Sequence, residues 1–210
     1  MPCLLIASRN AHKAEEIGAI LSEKFTVRTL ANFPEAPPVV EDGGSFAANA
    51  EKKACELTVW LKNQALGQAP PDYVLADDSG LEVDALDGAP GVHSARYASK
   101  ENEGNASDDA NNSKLLRELH AVSEEGRAAQ FRCVLALIAF TQAEKTEFFE
   151  GICRGRIGKA AAGNGGFGYD PLFIPAGHTQ SFAELGQSTK NSLSHRAKAL
   201  AKLSAFFETH

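Results

Sequence analysis

Four polar clusters carry residue types suited to chemistry, and each borders an apolar run. The first is Ser8-Arg9-Asn10-Ala11-His12-Lys13, which sets a hydroxyl, an amide and an ammonium on one turn ahead of a helical pattern. Such a turn leaves backbone N–H groups free and can cradle phosphate; taken alone, it also reads as a capped helix with a surface lysine. The second is Asp77-Asp78-Ser79-Gly80, directly after the apolar run 73–76. Ligands gather at strand ends in α/β proteins, and paired acids there suit Mg²⁺, which takes hard oxygen ligands and keeps several waters. Glu41, in an earlier acidic loop, is a partner from a second segment. The third is the glycine-rich stretch 163–170, where Phe167 or Tyr169 could stack on a base and the plainer reading makes one of them a core anchor. The fourth is Lys190 with Ser194-His195-Arg196, read as the start of the last helix. Cations oppose the helix dipole there, a conflict that an anionic ligand removes.

Other chemistries fit less well. The glycine-rich stretch is no Walker A loop, because no Gly-Lys-Ser/Thr follows it. Ser79 lacks the G-x-S-x-G elbow of a serine hydrolase, and Asp78 beside it would repel an alkoxide. A haloacid-dehalogenase-like phosphatase wants two aspartates separated by one residue, and these two are adjacent.

The elements that must position these clusters follow from apolar periodicity. A buried strand is expected at 3–7 and a helix at 11–24, with Ala14, Ile17 and Leu21 on one face and Asn10 or Ser8 as cap. A strand at 25–30 precedes a proline-containing loop, and a helix spans 45–66 with Phe46, Ala50, Ala54, Leu57 and Leu61 inward, stopped by 67–71. Strands are expected at 73–76 and 81–86, with the Asp77-Asp78-Ser79-Gly80 turn between them. A polar loop over 100–112 leads into a helix at 109–122. Two long strands at 130–140 and 146–157 join through a turn at 142–145, followed by a short strand at 172–174 and a last helix from about 194. The mixture predicts an α/β fold, a mixed β-sheet flanked by helices, in one domain spanning 1–210.

The 210 residues, 43% hydrophobic and 23% charged, describe a globular chain able to bury its own core. The four cysteines form no CxxC pair, so no zinc knuckle or thioredoxin motif is offered; three sit in apolar runs and read as core residues of a reduced, cytoplasmic protein. The longest apolar run, 134–140, is far short of the about 20 residues that span a bilayer, and no leader pattern opens the chain. A net charge of −6 disfavours a broad nucleic-acid surface but leaves room for a small phosphate ligand met by local cations and a metal.

Together and in this order, the segments ASRNAHKAEEI, EDGGSFAANAEKKA, LADDSGLEVDALDGAPGVHSARYA, GNGGFGYDPLFIP, and AEL followed by Lys190 and SHRAKAL resemble the inosine triphosphate pyrophosphatase family, the dITP/XTP pyrophosphatases. The resemblance covers nearly the whole chain. It implies a homodimer of two-lobed α/β subunits with a long mixed sheet and an active-site cleft between lobes. It also implies Mg²⁺-dependent cleavage of a purine nucleoside triphosphate between the α- and β-phosphates. Carried across, Ser8 to Lys13 correspond to the triphosphate loop, and Glu41 and Asp78 to the metal-binding acids, with Asp78 also the proton acceptor. Lys53 corresponds to a phosphate-facing lysine and Ser79 to a substrate-contacting hydroxyl. Phe167, Gly168, Tyr169 and Asp170 correspond to the base-side wall, completed by Lys190, His195 and Arg196. The chain departs from the commonest pattern at Arg9, where glycine is frequent, at Ala48, where glutamate is frequent, and at Asp42, where threonine is frequent.

The reaction expected from these residues is attack of a positioned water on the α-phosphorus, with Lys13 and Lys53 stabilising the departing pyrophosphate. Donors from His195, Arg196 or nearby backbone would favour a 6-oxopurine over adenine, whose 6-amino group would leave them unpaired. Guanine shares that oxygen and needs a separate rejection. Two other classes, a nucleotide-binding sensor without turnover and a structural dimer module, explain the four clusters less economically.

Overall fold

The computed structural model describes residues 1–64, 69–99, 104–142 and 145–209. Its sheet has six strands in the order β2-β1-β3-β4-β5-β6. The strands are β1 (Cys3–Ile6), β2 (Thr26–Thr29), β3 (Tyr73–Val83), β4 (Ala128–Ala139), β5 (Thr146–Ile157) and β6 (Phe173–Pro175). β1 pairs in parallel with both β2 and β3, whereas β5 and β6 are antiparallel, so the sheet is mixed. The helices are α1 (Ala11–Leu21), α2 (Phe46–Lys62), α3 (Asp108–Glu118), α4 (Phe182–Leu193) and α5 (His195–Thr209). This is the α/β class that the periodicity predicts.

The chain forms two compact units, the first comprising Met1–Asp78, Cys133–Glu150 and Ala199–His210, the second Ser79–Arg132 and Gly151–Lys198. In the first, the alternation of strand side chains builds two cores. Leu4, Ile6, Leu75, Cys133, Leu135 and Leu137 pack with Ile17 and Leu21 of α1 and with Ala199, Leu200 and Leu203 of α5. Leu5, Ala7, Val74, Ala76, Ala136 and Ile138 pack with Ala50, Ala54, Leu57 and Leu61 of α2. In the second, Leu81, Val83, Phe131, Cys153 and Ile157 pack with Leu115, Leu119, Tyr169, Phe173 and Phe182.

Three expectations change. β3 runs unbroken from Tyr73 to Val83, so Asp77-Asp78-Ser79-Gly80 is strand interior and not a turn between two strands. α4 was not expected; its capping box, Ser181 with Glu184, is the local signal for it, and Gly186 at φ 79° kinks it. Lys190 therefore sits in the last turn of α4, where a cation favours the dipole, and not at the start of the last helix. Two cysteines, Cys133 and Cys153, are buried and two are intermediate, one fewer core cysteine than the apolar runs suggested. The expected ends of the helix at 65–66, part of its stop at 67–68, residues 100–103 of the polar loop and residues 143–144 of the turn lie outside the described residues. Among the described residues, no helix is long and apolar enough to cross a membrane.

Candidate active site

Successive residues of a strand point to opposite faces, and this separates the two adjacent acids. Asp77 shares its face with Leu75 and reaches α1, accepting from Lys13 Nζ at 2.7 Å and from the Cys133 thiol at 3.2 Å. Asp78 shares its face with Val74 and Ala76 and reaches α2, accepting from Lys53 Nζ at 3.0 Å and Asn49 Nδ2 at 3.1 Å. Adjacency in sequence thus yields two separate ion pairs, not one dyad.

Lys53 is the hub of the second pair. Its ammonium also donates to Glu41 Oε1 at 3.1 Å and to the Asp77 carbonyl at 2.8 Å, which uses all three of its N–H groups. Burial works against the Lys53 ammonium, but Asp78 and Glu41 outweigh it and raise its pKa. Asp78 is pushed above the usual carboxylate range, chiefly by burial, with Lys53 and Lys13 opposing and Glu41 adding to the rise. Burial is the largest single influence on both groups; the carboxylates together outweigh it at Lys53, whereas the lysines do not outweigh it at Asp78. Lys13 pairs with Asp77 on one face, and Lys53 is shared by Glu41 and Asp78 on the other. Among the described residues, no three His, Cys, Asp or Glu side chains form a ready cage for a metal. Two carboxylates converging on one cation position nevertheless match the donor set of Mg²⁺, which uses one or two carboxylates and completes its shell with phosphate and water.

The turn before α1 is held by its own polar side chains. Asn10 caps the helix, its Oδ1 accepting from Lys13 N at 3.1 Å, and Ser8 Oγ accepts from Asn10 N at 3.2 Å. Arg9 donates to the Ala36 carbonyl and is held against the proline-containing loop. Ala11 and His12 are exposed, and no acidic residue occupies the first turn of α1 to compete for an anion.

In the second unit, Lys190 Nζ meets Asp170 Oδ2 at 2.6 Å, with both side chains almost fully buried, and lies 4.1 Å from the centre of the Phe167 ring. Asp170 also accepts from Phe167 N at 2.9 Å. A Cβ on Gly166, whose φ is 77°, would strike the Asp170 carboxylate, so the tight turn requires glycine there. Tyr169 is the core anchor of the two aromatics: it is buried in the apolar cluster and donates from its hydroxyl to the Ser94 carbonyl at 2.8 Å. Burial is the main cause that raises its pKa. Phe167, half-buried, is the ring left at the turn. His195 stacks on Phe131 with centroids 4.8 Å apart, and Arg196, 1% exposed, donates to Ser79 Oγ at 2.9 Å.

The fold thus gathers Glu41, Lys53 and Asp78 around one ammonium, Lys13 onto Asp77, Phe167 and Asp170 around Lys190, and Arg196 onto Ser79. Sequence reasoning missed Asn49, whose Oδ1 accepts from Gly43 N at 2.8 Å while its Nδ2 holds Asp78. The signal was available, since Asn49 and Lys53 are polar residues on the buried stripe of α2. From sequence Asp77 is only half of an acid pair; the sheet makes it the seat of Lys13.

Comparison with known proteins adds an independent line. The chain is 48% identical over 204 residues to a dITP/XTP pyrophosphatase of Geobacter sulfurreducens, covering 97% of this chain and 95% of that one. Its fold superposes on a HAM1 protein from Coxiella burnetii with a TM-score of 0.83 at 34% identity, covering 100% of both chains. A nucleoside-triphosphatase, or dITP/XTP pyrophosphatase, from Mycobacterium abscessus matches with a TM-score of 0.72 at 38% identity over 96% of this chain and 98% of the other. The Ham1 family pattern matches residues 4–206, and the chain belongs to the Ham1 family.

Proposed function

We propose that this protein hydrolyses deaminated purine nucleoside triphosphates, ITP, dITP and XTP, to the nucleoside monophosphate and pyrophosphate, as a Mg²⁺-dependent cytoplasmic homodimer that clears them from the nucleotide pool. The observation that carries the reading is the Glu41–Lys53–Asp78 cluster, in a chain nearly half identical to a named dITP/XTP pyrophosphatase.

The N–H groups at the start of α1, with Ser8, Asn10 and Lys13, receive the triphosphate, which suits a helix N-terminus free of acidic side chains. Lys13, seated on Asp77, and Lys53 face the charge that grows on the departing pyrophosphate. Glu41 and Asp78 would hold Mg²⁺, which when bound offsets phosphate charge. Asp78 takes the proton of the water that attacks the α-phosphorus, while the bond from that phosphorus to the bridging oxygen breaks. Its raised pKa makes it a better acceptor than an exposed carboxylate. Phe167 offers a ring face for the base, and Lys190, His195 and Arg196 supply the donors that favour a 6-oxo group over a 6-amino group.

The test is pyrophosphate release from ITP, XTP, GTP and ATP, each with Mg²⁺ and with excess chelator. Metal-dependent release from ITP and XTP with little from GTP and ATP supports the reading; binding without release from any would replace it with a sensor. Asp78→Asn lowers kcat/KM for ITP at least about a hundredfold, near 2.7 kcal/mol of barrier. Near-normal turnover in that variant removes Asp78 from the chemistry.

A further inference from the structure

The turn that presents Phe167 is held from outside by one face of α3. Gly168 has φ 63°, a left-handed conformation that does not fix itself. Both of its peptide groups are engaged by the same helix: its N–H donates to Asp108 Oδ2 at 2.6 Å, and its C=O accepts from Asn112 Nδ2 at 3.0 Å. Asp108 and Asn112 are four residues apart and so lie on one side of α3. Two bonds to one residue fix both peptide planes, the one leading from Phe167 and the one leading to Tyr169. Tyr169 is fixed in turn through Ser94.

Asp108, in the first turn of α3, suits the helix dipole, but neither side chain is needed as the cap of that helix. Ser107 already caps that helix, its Oγ accepting from Ala110 N at 3.2 Å, and Asp108 is exposed. Asn112 is 8% exposed, and among the described residues its Oδ1 has no hydrogen bond. A buried acceptor left unsatisfied costs the fold something that an apolar side chain of similar shape would not. What both residues share is Gly168.

We propose that Asp108, supported by Asn112, is a positioning residue for base selection: it sets the angle at which the Phe167–Gly168 turn meets the purine. This rests on the function proposed above, in which Phe167 to Asp170 face the base. The charged acceptor matters most, because a hydrogen bond to an ionised group is about twice as strong as a neutral one.

The test compares Asp108→Ala with Asp108→Asn, which keeps an acceptor oxygen. For Asp108→Ala, KM for ITP rises about tenfold, the worth of one charge-assisted hydrogen bond, and the ITP-over-GTP ratio of kcat/KM shrinks. Meanwhile kcat changes less than KM, and Asp108→Asn, whose neutral oxygen makes a bond about half as strong, recovers part of both losses. Amide exchange at Gly168 in the wild-type and Asp108→Asn proteins reads the clamp without turnover and serves if Asp108→Ala does not fold. Unchanged KM and base ratio in Asp108→Ala, or an unprotected Gly168 amide in the wild type, overturns the proposal. A wild type that protects Gly168 but releases no pyrophosphate from ITP refutes the functional reading and leaves the clamp standing as structure.

Discussion

Replacing Lys53 with methionine keeps most of the aliphatic stem and deletes the ammonium, and the structure gives the size of the consequence. Three acceptors lose a donor at 2.8 to 3.1 Å, and two of them are carboxylates. The side chain of Asp78 is 6% exposed and that of Glu41 34%, so water compensates Glu41 in large part and Asp78 hardly at all. Breaking a buried pair from one side costs roughly 3–5 kcal/mol, a large share of the roughly 5–15 kcal/mol that holds a domain folded. The cost depends on pH in a definite direction. Burial already places the folded pKa of Asp78 above its ordinary value of 3.8, and losing Lys53 removes a cause that lowers it. A carboxylate with a raised folded pKa contributes stability that is present below its unfolded value and lost as pH rises through the folded value. Lys53→Met should therefore be mildly destabilised near pH 4 and strongly destabilised at pH 8. Urea unfolding in chelator at both values measures this, with a midpoint drop of more than about 1 M expected at pH 8. An unchanged midpoint, or a larger drop at the acid end, would refute the account of Lys53 as the counter-ion of Asp78.

Two further outcomes follow from the same physics. Lys190→Met strands the carboxylate of Asp170, 1% exposed, and removes the cation over Phe167, so it costs roughly 3–5 kcal/mol by denaturation and also weakens ITP binding; a variant of wild-type stability would show that Asp170 does not depend on Lys190. The acid limb of kcat/KM for ITP should lie above the usual carboxylate range, because protonating Asp78 removes the acceptor, and saturating Mg²⁺ should shift it to lower pH by favouring the ionised form. A pH–rate profile that is flat through that range would count against Asp78 as the proton acceptor.

The two ion pairs also show how one strand addresses two helices. The neighbours Asp77 and Asp78 seat different lysines on opposite faces of β3, while Ser79, the next residue, accepts from Arg196. Inserting or deleting one residue here would exchange the faces, since strand side chains repeat every two residues. The order of these three residues thus decides their partners as much as their identities do.

Much of the fold was legible locally. The apolar spacing of α1 and α2, the Asn10 cap, the limits of β5 and the α/β class all follow from side-chain periodicity and capping, which act between residues a few positions apart. The Ser181–Glu184 capping box was equally local and announced α4 to any reading that looked for it. The candidate chemistry was legible too, as clusters of residue types whose order resembles one family. Tertiary structure alone decided which partner each charge meets. That Asp77 and Asp78 part company, that Lys53 spends all three N–H groups on groups from two segments, that Tyr169 is the core anchor, and that α3 grips Gly168 are contacts across 12 to 75 positions of chain. The physical reason is that periodicity specifies which face of an element is buried, whereas hydrogen bonds and ion pairs depend on angstrom-scale distances that only the packed sheet sets.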